Sequence, residues 1–79
     1  MLFRIARLKL VIERKHRCHA RHVGVRTMVE SLPDGSIWRG TVDVFDLVGQ
    51  PLADRCYAWT EQRGERLLSF TRLKISHFR

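Results

Sequence analysis

The densest run of groups able to do chemistry is His16-Arg17-Cys18-His19-Ala20-Arg21-His22. Thiolate and imidazole are the usual zinc donors, and on a helix Cys18 and His22 would share one face at a spacing zinc accepts. His19 would lie about a quarter-turn away, which makes a third ligand awkward. No second Cys/His pair follows at the spacing a four-ligand site needs, and the interleaved arginines repel a divalent cation. Cys18 and His22 are therefore weak metal candidates, weighed against a solvated basic segment that is partly titrated near neutral pH. Flanking cations would also activate Cys18 as a nucleophile. No ordering third group or oxyanion donor accompanies it. Asp43 and Asp46 fall on opposite faces of an alternating strand, so they do not form an acid/base pair. Asp43 reads as a surface ion-pair partner of Arg26 and Arg39. Cys56 reads as a small packing residue beside Asp43. No catalytic set, cofactor, metal or small-molecule substrate is expected, and an enzyme is the least expected class.

What remains is charge. The 79 residues carry a net charge of +7, unevenly placed. Residues 1–26 hold eight Lys/Arg against Glu13 alone, residues 27–62 hold two Arg against six acids, and residues 63–79 are basic again. Such a balance suits a polyanionic partner. The basic stripe Arg4, Arg7, Arg14, Lys15, Arg17 and Arg21, joined by Arg72 and Lys74, is the candidate nucleic-acid-binding surface, through non-specific phosphate contacts. The competing reading is the solvated outer side of a helix. A protein-interaction or homodimer-forming subunit is the second function class, with edge strands 23–31 and 66–75 and an apolar patch at Phe45, Leu47, Leu52 and Ile75 as its surfaces. Peripheral membrane binding through the N-terminal helix is a weaker third. Two cysteines make no disulfide framework, so reduced thiols in a cytoplasm are the expected state. No apolar run approaches the length of a membrane span, and charges interrupt any signal-peptide core.

The elements that must position these groups follow from periodicity. Residues 2–21 read as a helix with Leu2, Ile5, Ala6, Leu8, Leu10 and Ile12 on an apolar arc and the arginines opposite. Residues 23–31 alternate as a strand, with Val23, Val25, Thr27 and Val29 on one face. Leu32-Pro33-Asp34-Gly35 is a turn, since Pro presets φ and Asp closes on its own backbone. Residues 37–48 form the central strand, with Trp38, Gly40, Val42 and Val44 on one face. Turns at Gly49-Gln50 and Arg63-Gly64 deliver two more strands. A four-residue first loop pairs Val25 with Val42. The other turns pair Gly40 with Trp59 and Tyr57 with Phe70. The expected fold is α+β in a single small domain, 1–79. Its N-terminal helix packs on the aromatic face of a four-stranded antiparallel β-meander spanning residues 23–75.

Trp38, Tyr57, Trp59 and Phe70 on one face invite comparison with single-strand nucleic-acid platforms, where bases stack on exposed rings. With Val25 and Val29 assigned to that face, a core is the expectation instead. The run Trp38-Arg39-Gly40-Thr41-Val42-Asp43-Val44-Phe45-Asp46-Leu47, then Gly49, then Arg55-Cys56-Tyr57-Ala58-Trp59, resembles a group of short bacterial proteins over residues 22–60. That group has no assigned activity, so the resemblance implies the meander and no function.

Overall fold

The computed structural model describes residues 2–75. The chain runs α1 (Leu2–His16), β1 (His19–Ser31), β2 (Ile37–Val48), β3 (Ala53–Arg63) and β4 (Arg66–Ile75). The four strands form one antiparallel sheet in the order β1-β2-β3-β4, and the helix packs on it. The architecture is thus the α+β meander that alternation and turn residues predict. Three details differ from the sequence reading, and they decide what the surface can do.

The helix ends at His16, not residue 21. Arg17 follows with φ 54°, the left-handed conformation that commonly closes a helix. The chain then enters β1 at once, so His19–Arg21 lie on a strand. Glu13 ties the two elements together. Its carboxylate accepts the Ala20 backbone N–H at 2.8 Å and the Lys9 ammonium at 2.9 Å. Arg14, Lys15 and His16 occupy the last helical turn, where cations suit the negative end of the helix dipole.

The first loop is one residue longer than the turn motif implies. Leu32 N donates to Ser36 O at 2.8 Å and Gly35 N to Leu32 O at 2.9 Å, so Ser31 pairs with Ile37. That single residue moves every β1 side chain to the other face. Arg26 now pairs with Val42, Met28 with Gly40 and Glu30 with Trp38, while Val25 faces Asp43. A bulge between His22 and Gly24 restores the alternation lower down, setting His22 beside Phe45 and Ala20 beside Leu47. The other two registers slip by two residues, which leaves faces unchanged. Val44 pairs with Tyr57, and Trp59 pairs with Phe70. Gly40 consequently does not lie under Trp59. The ring that needs its missing side chain is Trp38 of the same strand, whose Cζ2 and Cη2 would stand 2.6 and 2.7 Å from a β-carbon there.

The third difference is the face the helix covers. Leu8 and Ile12, both fully buried, pack with Ala20, Phe45, Leu47, Cys56 and Ala58, flanked by Ile5, Cys18 and Leu73. This is the face opposite the aromatic cluster. Small residues explain the choice: Ala20, Cys56 and Ala58 let the helix approach closely, and Phe45 and Leu47 fill the remaining space. The patch expected at Phe45 and Leu47 is therefore core, with Leu52 and Ile75 alone of that group exposed. Cys56 is a packing residue, paired with Phe45 rather than Asp43. Burial pushes its thiol up to about 11.

β2 and β3 are bonded to each other only over Asp43–Asp46 and Arg55–Ala58. Beyond that seam each strand pairs with its own hairpin partner alone, and the hairpins diverge. The gap on the helix-free face is filled by a second small cluster. Val42, Val44 and Tyr57 are buried there beneath Met28, Trp38 and Trp59.

Candidate functional site

The helix-free face carries both chemistries that the sequence separates. At its upper end Trp38 meets Trp59 at 5.3 Å between ring centroids, and Trp59 stacks on Phe70 at 5.7 Å with an interplanar angle of 18°. All three rings are half-buried, each with part of its surface open to solvent. Together with Met28 they line a small apolar cavity of about 180 Å³, edged by Glu30, Glu61 and Arg72. At the lower end an open depression of about 650 Å³ is lined by His19, Arg21, Asp46, Asp54, Arg55 and Lys74.

Strand alternation places Arg21, Arg26, Arg55, Arg63, Arg72 and Lys74 on this same face. Three of its acids, Asp46, Glu61 and Glu30, are each held by an arginine. Asp46 accepts Arg55 Nη2 at 2.7 Å and Arg21 Nη2 at 3.3 Å. Glu61 accepts Arg63 Nη2 at 2.7 Å and Trp59 Nε1 at 3.0 Å, while Glu30 accepts Arg72. These hydrogen bonds hold the Glu61 carboxyl below its ordinary value and, through Asp46, hold the Arg55 guanidinium above its own. Two cations lie over rings. Arg26 sits 5.7 Å from the Tyr57 centroid and donates to its hydroxyl at 3.2 Å, and Arg63 sits 5.5 Å from the Phe70 centroid. Such stacking orders the two guanidinium groups, with the Nε–Nη2 edge of Arg63 held by Glu61 and Nη1 of Arg26 by the Tyr57 hydroxyl.

The expected basic stripe does not exist as one surface. Arg4 is bound to the sheet while still exposed, donating Nε and Nη2 to Asp43 at 3.0 Å each. Arg21, Arg72 and Lys74 belong to the sheet face described above. Arg7, Arg14, Lys15 and Arg17 remain exposed on or beside the helix. The apolar side of that helix, Leu8 and Ile12, is fully buried on the sheet. Among the described residues no helix is long and apolar enough to cross a membrane.

Among the described residues Asp43 is the one buried charged residue, and its partners are Arg4 and His22, not Arg26 and Arg39. His22 Nε2 donates to Asp43 Oδ1 at 2.9 Å, with its ring edge-on to Phe45. Burial raises the Asp43 carboxyl, but the hydrogen bonds and charges of Arg4 and His22 outweigh it and leave the group below its ordinary 3.8. A depressed native value means stability present above the unfolded-state value and lost as pH falls through the native one. Acid should therefore weaken the fold below about pH 4. Asp43→Asn should remove that part of the acid slope and lower stability at neutral pH by about 1–3 kcal/mol, read from urea unfolding at several pH values.

Cys18 and His22 do not share a helical face, because the helix stops before them. Cys18 is partly buried against the core, and burial raises its thiol. Among the described residues no three His, Cys, Asp or Glu side chains converge on a point a metal could occupy. Arg26, Arg55 and Arg63 are cations of this face that the sequence reading leaves out of its candidate site. Arg26 was hidden by the one-residue loop difference. Arg55 alternates with Tyr57 and Trp59 and could have been found from that pattern. No family model, no curated protein and no solved structure matches this chain.

Proposed function

We propose that the protein binds single-stranded nucleic acid across the helix-free face of its sheet, non-specifically, with bases on the Trp38–Trp59–Phe70 rings and phosphates on Arg21, Arg55, Arg72 and Lys74. The observation that carries this reading is the coincidence of partly exposed aromatic residues and surplus cations on one face that no helix covers. Single-strand binders combine these two features, because every base offers a π-face and every nucleotide a charge. Trp38 and Asp46 lie eight residues apart on β2. At about 3.3 Å per residue the face is roughly 26 Å long, room for a short oligonucleotide. The surplus charge of the whole chain adds long-range attraction.

Both tryptophans of the chain lie on this face, so stacking should quench intrinsic fluorescence directly. Titration with oligo(dT) or oligo(U) of about 12 nucleotides should show that quenching. With about four phosphates contacted, the affinity should fall with a log–log salt slope of about −3. Duplex DNA of equal length should bind more weakly, since its bases are not free to stack. A salt-independent affinity, no binding at low salt, or preference for the duplex would overturn the reading.

A further inference from the structure

The outer edge of β1 is long, open and apolar on one side. It forms one margin of the sheet, and its upper half lies beyond the helix. The bond from Leu32 N to Ser36 O sets the ladder phase. In an antiparallel pair alternate residues exchange both backbone bonds with their partner, and the residues between them point outward. Gly24, Arg26, Met28 and Glu30 therefore face β2, while Val25, Thr27, Val29 and Ser31 direct their N–H and C=O groups to the free edge. Proteins usually guard such edges with lysine, proline, bulges or a cover. Residues 24–31 contain no lysine and no proline, and the bulge lies outside them. Val25 is 56% exposed and Val29 52%, on the side away from the aromatic rings. The opposite margin, β4, carries Arg66, Arg72 and Lys74.

We propose that the protein forms a two-fold homodimer by antiparallel pairing of β1 with β1 of a second copy, centred on Thr27. The occupant follows from the symmetry of the segment. On the side away from the aromatic rings, Val25, Thr27 and Val29 read alike from either end. A two-fold axis at Thr27 sets Val25 opposite the partner's Val29 and Thr27 opposite the partner's Thr27. Cross-strand pairs of β-branched residues are favourable. On the other face Arg26 lies opposite the partner's Met28 and diagonal to both the partner's Glu30, an opposite charge, and the partner's Arg26, a like one. An axis at Arg26 would instead oppose two arginines, and an axis at Met28 would set Val25 against a serine. The pairing is isologous and closed, so it stops at two copies. It rests on the β1 edge alone and stands or falls separately from nucleic-acid binding.

Sedimentation velocity from low micromolar to several hundred micromolar protein tests it. The mass should rise with concentration from the 9.3 kDa of one chain toward twice that value. Thr27→Pro removes an outward-facing edge donor without breaking a β1–β2 bond, a position where strands tolerate proline. It should stay monomeric with an unchanged far-UV spectrum. Val25→Lys, which places a charge on the seam, should do the same and decides the matter alone if the proline variant does not fold. A wild-type chain that stays at 9.3 kDa throughout, or a dimer that survives these substitutions, would overturn the proposal.

Discussion

Phe45→Ala should leave much of the protein unfolded at room temperature. Phe45 is the largest fully buried side chain, and it stands where helix and sheet meet. It packs with Leu8 and Ile12 above and has the His22 ring 5.2 Å away at its edge. Truncating such a residue costs about 3–5 kcal/mol, through lost burial and the cavity left behind. A 79-residue domain holds on the order of 5 kcal/mol in total, so little remains. Val25→Ala is the informative contrast. Alternation alone assigns Val25 to the core, but it is 56% exposed, and its truncation should cost under about 0.5 kcal/mol. Urea unfolding should be followed by far-UV circular dichroism, because both tryptophans report from the other face. Equal losses for the two variants would show that the helix covers a different surface.

Trp38→Ala and Trp59→Ala should each weaken single-strand binding by about 1–3 kcal/mol, roughly five- to 150-fold. Trp38→Phe and Trp59→Phe should retain much of the affinity, since a π-face remains. Both residues also pack on Val42, Val44 and Tyr57, so binding must be measured where each variant is still folded. The control is charge on the opposite side. Arg7→Gln, Arg14→Gln and Lys15→Gln combined should leave the fluorescence quenching amplitude unchanged and reduce affinity only through the screened long-range field. If the helix triple variant abolishes binding while the tryptophan variants do not, the nucleic acid lies on the helix side and the sheet face is structural.

The contrast between those two surfaces shows what a sequence can convey. The strand spans 37–48 and 66–75 are legible because Val, Ile, Trp and Phe alternate with polar residues between glycine-bearing turns. The meander order follows from the shortness of its loops. Faces are harder. β2 is apolar on both sides, with Val42 and Val44 on one and Phe45 and Leu47 on the other, so alternation cannot say which side the helix takes. Side-chain size could have, since Ala20, Cys56 and Ala58 admit a helix backbone and paired tryptophans do not. The β1 register hinged on whether Ser36 belonged to the loop. Pairing Val25 with Val42 treats Val25 as a core residue, whereas it is exposed and stands opposite the buried Asp43. The His16–His22 segment was legible as basic but not as a helix end, because Arg17, rather than glycine or asparagine, takes the left-handed turn.

The short β2–β3 seam has a consequence for how the molecule breathes. Four residue pairs join two hairpins that are each far more extensively bonded within themselves. Backbone opening should then divide the chain into two cooperative units rather than fray it evenly from the ends. The amides near Phe45 and Cys56, at the seam and under the helix, are the ones both units share. They should exchange with solvent hydrogen last, while the separated tips at Ser31–Ile37 and Arg63–Arg66 exchange early and independently of each other. The aromatic cavity sits between those tips, so its width is set by the angle between two arms hinged at one place.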